Sequence, residues 1–386
     1  MGFSNKSLRK LAFTLLPLLL VVFLSGSLAV AQEKVYKIGA VFPLSGNAAQ
    51  YGENKRFGSE LAKDEINAAG GFKGVKLEII YGDSRGLPRE GVAAVNKLIQ
   101  IDKVPAFLAT MSGVVMSAIP IAESNKVVLL NTAALNPGIR EGGDYIFSNM
   151  TLGDLEGMVR SEFCFQQLAY RKMAIFNVNN EFGNSVRDVV IKEWKKFGGT
   201  ITAAESYEQG ARDFRTQLVK AAQSNPEVID LIGYYAEMGL IVKQAREMGI
   251  KSQFVSYAGI TSEKFIEITG EAGEGVIATQ VGWDPTDPAP QVQEFIKHYR
   301  KKYSRDPELY GATAFDGIKL IALAIQNGDY SADGIKKALY KVKDYPGVTG
   351  RTTFDQDGIA IKPVNFTILK NGKFVPFKKE LMLKVK

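Results

Sequence analysis

The chain of 386 residues has one cysteine, Cys164, and one histidine, His298. One cysteine allows no internal disulfide and no thiolate zinc cluster, and one histidine allows no multi-histidine metal site. Histidine catalysis would rest on a single residue in the polar run KHYRKKY, with no obvious partner. The phosphate-binding G-x-x-x-x-G-K-S/T, the dinucleotide-binding G-x-G-x-x-G and the nucleophile-elbow G-x-S-x-G are all missing. After residue 31 no apolar run approaches the ~20 residues that span a bilayer. There is no low-complexity tract and no short-period repeat. These absences predict no metal, no cofactor and no enzyme activity.

What is present describes an ordinary folded protein: 46% hydrophobic and 23% charged residues, in a length that suggests about two domains. The first 31 residues read as a signal peptide, with Lys6, Arg9 and Lys10 before an apolar stretch from Leu11 to Leu24. Ala29-Val30-Ala31 offers the small side chains that the peptidase pocket admits, and no cysteine nearby could carry a lipid. Cleavage after Ala31 removes three positive charges and no acids, so the net charge of +7 falls to +4. That field is too weak to argue for nucleic acid. The expected product is a soluble exported protein of a bacterial periplasm, monomeric by default, with Cys164 buried between Phe163 and Phe165.

Short apolar strands alternate with amphipathic helices along the mature chain. Strands are expected at 35–42, 75–81, 106–109 and 127–130, with helices at 52–69, 88–102 and 115–124. A second series has strands at 172–178, 200–207, 228–234 and 253–257, with helices at 153–168, 184–197, 214–224, 239–248 and 263–269. Helices at 290–303, 310–326 and 331–342 precede a strand-rich end at 351–354, 364–369 and 374–377, where Asn371-Gly372 makes a hairpin turn. The predicted fold class is therefore α/β, with two similar doubly wound parallel-sheet lobes. The tail belongs clearly to neither half, as when a chain crosses between lobes more than once.

Open parallel sheets bind ligands beyond the carboxyl ends of their strands. Loops at such places contain Tyr51, Ser112, Thr132 and Ala133 in the first half, and Phe182, Tyr234, Tyr257 and Ala258 in the second. Each loop alone could be a helix cap. Their convergence from both halves points to a ligand site, with hydroxyls and helix amides for an anionic group. The aromatic residues, with Trp283 among them, suit an apolar or aromatic body.

The sequence resembles the periplasmic Leu/Ile/Val-binding proteins of ABC importers. The resemblance covers nearly the whole mature chain and rests on KIGAVFPLSGNAAQYGE, DEINAAGGFKGVKLEIIYGDS, LLNTAA, NNEFGN, YYAEMG and TTFDQDG. It implies a type I periplasmic binding fold, with lobes at 33–151 plus 282–349 and at 152–281 plus 350–386, joined by a three-crossover hinge. It also implies a small-molecule ligand closed between the lobes and an ABC permease in the inner membrane as partner.

Carried over residue by residue, the resemblance matches Tyr51 and Tyr234. The family's carboxylate-holding serine falls on Met111, with Ser112 beside it, and its threonine falls on Ala134, with Thr132 nearby. A tyrosine becomes Phe182, and the acid that pairs with the α-ammonium falls on Ala258. A closed cleft strips water from an ammonium, which is costly without a partner. The expected ligand is therefore an aromatic or aliphatic carboxylate, or a related compound, without that group. An acid elsewhere, with Glu181, Glu237 and Asp284 nearest in sequence, would restore an amino-acid ligand. A sensor that reports ligand occupancy to a receptor is the other function the same cleft could serve.

Overall fold

In a computed structural model, residues 34–382 are described; the segment read as a leader, 1–31, lies outside the described residues. Two large sheets organise the chain. The first is parallel, in the order β2-β1-β3-β4-β5, from Lys76–Asp83, Val35–Phe42, Ala106–Ala109, Val128–Asn131 and Ile146–Ser148. The second has the order β14-β13-β10-β9-β8-β6-β7. Its strands β6 (Lys172–Val178), β7 (Thr200–Tyr207), β8 (Val228–Ile232), β9 (Gln253–Ser256) and β10 (Ile277–Val281) repeat the arrangement of the first sheet. The antiparallel β13 (Val364–Lys370) and β14 (Lys373–Pro376) extend it past β10. In both sheets the strand order reverses beside the first strand, which opens a crevice there.

The inner strands of the first sheet are buried on both faces, and their residues alternate between them. Ile38, Ala40 and Phe42 of β1 join one apolar cluster, while Val41 joins the other. Phe107 and Ala109 of β3 sit on the side of Val41, and Ala106 and Leu108 on the opposite side. Strands covered on both faces need near-continuous apolar sequence, which is what VYKIGAVF, AFLA and VLLN provide. Helix α1 (Ala49–Ala68) packs closely along α10 (Leu309–Asn327), where a Cβ on Gly58 would lie 1.9 Å from the Gly311 carbonyl oxygen. Only glycine allows that approach.

The chain passes between the sheets three times. It leaves the first after β5, and returns after β10 to helices packed on α1 and β4. It then enters the second sheet at β13. The returning helices are α9 (Pro290–Tyr303), α10 and α11 (Ala332–Leu339). Lys362, 1% exposed, ties these crossings: its Nζ donates to the Gly350 and Arg351 carbonyls at 3.0 Å, and its backbone N–H donates to Thr151 Oγ1. Asp316 of α10 accepts from the amides of Val348 and Thr349 at 2.9 and 2.8 Å.

The structure differs from the sequence expectations at several elements. Strands β5 and β10 are additional to those expected: β5 has only three residues, and β10 (IATQV) carries two polar residues in five. The strand expected at 351–354 is β12 (Gly350–Thr352), which pairs with β11 (Tyr345–Gly347) and with neither large sheet. The helix expected at 153–168 is α4 (Gly153–Glu162), followed by a wider turn at Phe163–Gln167. The helices expected from 184 and 239 begin earlier, as α5 (Glu181–Lys196) and α7 (Tyr235–Glu247). Asn180 caps α5 by accepting from the Gly183 amide at 3.0 Å. A Cβ on Gly183 would lie 1.8 Å from the Val178 carbonyl oxygen, so this glycine permits a close approach of helix to strand.

Candidate functional site

The crevices of the two sheets face each other across a small cavity. Its wall is formed by Thr110, Met111, Ser112, Ala133, Ala134, Leu135 and Tyr310 from the first lobe, and by Phe182, Tyr234 and Tyr257 from the second. Thr110, Met111 and Ser112 follow β3, and Ala133 to Leu135 follow β4. Phe182 lies in the first turn of α5, and Tyr234 and Tyr257 follow β8 and β9. The space open to water centres is only ≈ 20 Å³, room for about one water. The lobes are thus closed on one another.

Hydrogen bonds across the cleft hold that closure. Tyr51, 1% exposed in the first turn of α1, donates to the Gly259 carbonyl at 3.3 Å and accepts from the Tyr235 amide at 3.0 Å. The Tyr235 amide is the first of α7 and has no partner within its own helix. Asn136 Nδ2 donates to Glu181 Oε2 at 3.3 Å, and the Glu263 amide donates to Glu308 Oε1 at 3.1 Å. The Tyr51 ring lies 4.3 Å from that of Tyr310 and 6.3 Å from that of Tyr234. Phe182 lies 5.8 Å from Tyr234 and 5.0 Å from Tyr257, the latter edge-on. Burial raises the phenol pKa of Tyr51, Tyr234, Tyr257 and Tyr310, so all four stay neutral.

The polar groups of the wall are few. Ser112 Oγ accepts from the amides of Leu135 and Asn136, both at 3.2 Å, and so fixes the next loop. The Ala133 amide donates to Asn131 Oδ1 at 3.2 Å. Among the described residues, Thr110 Oγ1 is buried with no hydrogen-bond partner. Met111 holds φ = 71°, ψ = 119° ahead of α3 (Ser112–Ser124), a conformation a methionine rarely adopts. Such strain gathers at ligand sites.

Of the nine residues singled out in the sequence, Ser112, Ala133, Phe182, Tyr234 and Tyr257 line the cavity, and Tyr51 bridges the lobes beside it. The other three lie away from its wall. The Thr132 hydroxyl donates to the Ala109 carbonyl at 3.2 Å and accepts from Lys55 Nζ at 2.9 Å. Trp283 packs edge-on against Phe295, 5.6 Å between rings. Ala258 donates its amide to Glu156 Oε1 at 3.1 Å.

The structure brings together groups the sequence did not. Glu156 is the acid next to position 258; Glu181, Glu237 and Asp284 each bind elsewhere, to Asn136, the Gly210 amide and Thr286. Burial raises the Glu156 pKa, against Arg160, whose own charge is matched by Asp230 at 3.0 Å. Tyr310 begins a helix that follows another helix, so the strand-end rule gave no pointer to it. Thr110 and Leu135 belong to loops whose place was legible, but their orientation was not.

The sequence model described as periplasmic binding protein matches residues 35–373. The chain is 29% identical over 324 residues to Leu/Ile/Val-binding protein homolog 1 of Brucella abortus (strain 2308), covering 83% of this chain and 86% of the relative. It is 32% identical to the solved LivJ of Streptococcus pneumoniae, a branched-chain amino acid transporter substrate-binding protein in complex with isoleucine. That match has a TM-score of 0.82 and covers 88% of this chain and 98% of the other. A solute-binding protein of R. palustris in complex with benzoate superposes at a TM-score of 0.81 with 17% identity, over 89% and 95% of the two chains. At that identity the likeness is one of fold.

Proposed function

The chain belongs to the periplasmic binding protein family, and from that premise we propose that it captures a small acid between its lobes and delivers it to an ABC permease. The ligand is an aromatic or aliphatic carboxylate, or a related compound, without an α-ammonium group. The protein binds and releases; it does not transform. The lobes, 33–151 plus 282–349 and 152–281 plus 350–386, move as bodies about the three crossings. Ligand contacts to both lobes favour the closed form by as much as the ligand binds it better than the open one.

The observation that carries the reading is the composition of the cavity wall. Four aromatic rings and Met111 surround it, Thr110 offers an unused hydroxyl, and none of the described lining residues is acidic. An ammonium there would be desolvated without a direct partner. A second reading, a branched-chain amino acid, is favoured by Glu156 behind Ala258 and by the ligands named for the relatives. Calorimetric titration of leucine, isoleucine and valine beside 4-methylpentanoate and benzoate separates the two. Tight binding of leucine, with none of the ammonium-free acids, refutes the first and establishes the second.

A further inference from the structure

Lys55 lies one turn beyond Tyr51 on α1 and is fully buried. Among the described residues no carboxylate pairs with it, although several lysines at the surface have such partners. Its Nζ contacts three oxygens instead: the Thr132 carbonyl at 3.0 Å, Thr132 Oγ1 at 2.9 Å and Thr313 Oγ1 at 3.1 Å. A carbonyl only accepts. Each threonine hydroxyl spends its own proton elsewhere, Thr132 on the Ala109 carbonyl at 3.2 Å and Thr313 on the Tyr310 carbonyl at 3.1 Å. Toward Lys55 all three oxygens are therefore acceptors. A neutral amine has two protons and would set its lone pair against the third oxygen; an ammonium satisfies all three.

Burial pushes the Lys55 pKa well down, so the surroundings resist the charge that the hydrogen bonds require. An isolated buried cation is costly, and neutral oxygens offset only part of that cost. The charge also stands close to the ligand space. Nζ is 5.2 Å from the centre of the Tyr310 ring, and Thr132 precedes Ala133; Tyr310 and Ala133 both form the cavity wall. The buried charges of the second lobe are engaged among themselves, Arg160 with Asp230, and Glu156 with the Ala258 amide and Thr279. Nearby Glu308 accepts from Asn54 and from the Glu263 amide.

We propose that Lys55 is the built-in counter-charge of the site, a specificity-determining cation one side chain behind the wall that selects a ligand bearing a carboxylate on the side of Thr110, Ala133 and Tyr310. The ligand's negative charge completes the neutralisation of Lys55 when the lobes close. This deepens the functional reading and rests on it for the ligand being a small acid. It applies to an amino acid and to an ammonium-free acid alike, because both bring a carboxylate.

The test is titration calorimetry of wild type, Lys55→Met and Lys55→Gln with leucine, 4-methylpentanoate and benzoate, each beside its primary amide, with thermal unfolding to verify folding. Wild type is expected to prefer the acid over its amide. Both variants should lose about tenfold or more of that preference, as for one charge acting across a side chain at an effective dielectric of about 20, while amide binding changes less. A folded variant that keeps the wild-type preference overturns the proposal, as does a wild type that binds the amides as tightly as the acids. Should neither variant fold, nitrogen-detected NMR of lysine side chains in wild type decides. A buried ammonium signal that shifts with the acid and not with its amide supports the assignment, and a neutral amine or an unmoved signal overturns it. Binding of leucine alone among the acids would refute the ammonium-free ligand and leave the role of Lys55 standing.

Discussion

Replacing Tyr51 by Phe removes one oxygen and nothing else from the contact between the lobes. That oxygen is the partner of the Tyr235 amide at 3.0 Å and donates to the Gly259 carbonyl at 3.3 Å. The ring contacts with Tyr310 and Tyr235, at 4.3 and 5.0 Å, are kept by phenylalanine. Leaving a buried donor unpaired costs about 1–3 kcal/mol. Tyr235 is half-buried, so water can reach part of the gap, and the lower end applies. In the open form the same amide faces water in either variant, so the loss falls on the closed form. A cost of about 1 kcal/mol moves the closed-to-open ratio about fivefold. Ligand affinity should fall by the same factor, because the ligand must then supply the difference. The assay is a distance measurement between spectroscopic labels, one on each lobe, with calorimetry of any ligand that wild type binds. An unchanged distance distribution together with an unchanged Kd would refute the reasoning, and would mean that Tyr51 contributes through its ring alone.

Thr110→Val removes a buried hydroxyl with no partner among the described residues. It should leave the thermal midpoint nearly unchanged and weaken ligand binding by about five- to tenfold, and a loss of stability without loss of affinity would count against the ligand contact. Arg160→Met leaves Asp230 and Glu156 buried without their cation; urea unfolding should report a loss of about 3–5 kcal/mol. Lys362→Met strips the Gly350 and Arg351 carbonyls of a donor and should lower the unfolding free energy by about 1–3 kcal/mol. Burial pushes the Lys362 pKa down to about 8, so between that pH and the ordinary ~10.4 the unfolded chain holds a proton that the native one has lost. Wild type should therefore gain stability over Lys362→Met as pH rises through that window, and a gap that narrows there would contradict the assignment.

Much of this protein is legible in one dimension. Strands buried on both faces need short runs with almost no polar residue, and VYKIGAVF, KMAIFNV and VIDLI announce themselves by that need. Their alternation with helices fixes the doubly wound class, and the strand ends then point to the loops of Ser112, Ala133, Phe182, Tyr234 and Tyr257 by topology alone. What stayed hidden depends on residues that meet only in space. Glu156 reaches position 258 from 102 residues away, Tyr51 reaches Tyr235 from 184, and Lys55 reaches Thr132 and Thr313 from 77 and 258. Thr132 and Thr110 are each near a strand end, yet one hydroxyl turns to Lys55 and the other is left to the cavity. Sequence determines which loops meet, because hydrophobic periodicity sets the sheets. Tertiary structure decides which polar atoms in those loops remain unspent, because each buried donor and acceptor must first be satisfied by whatever the closed fold places beside it.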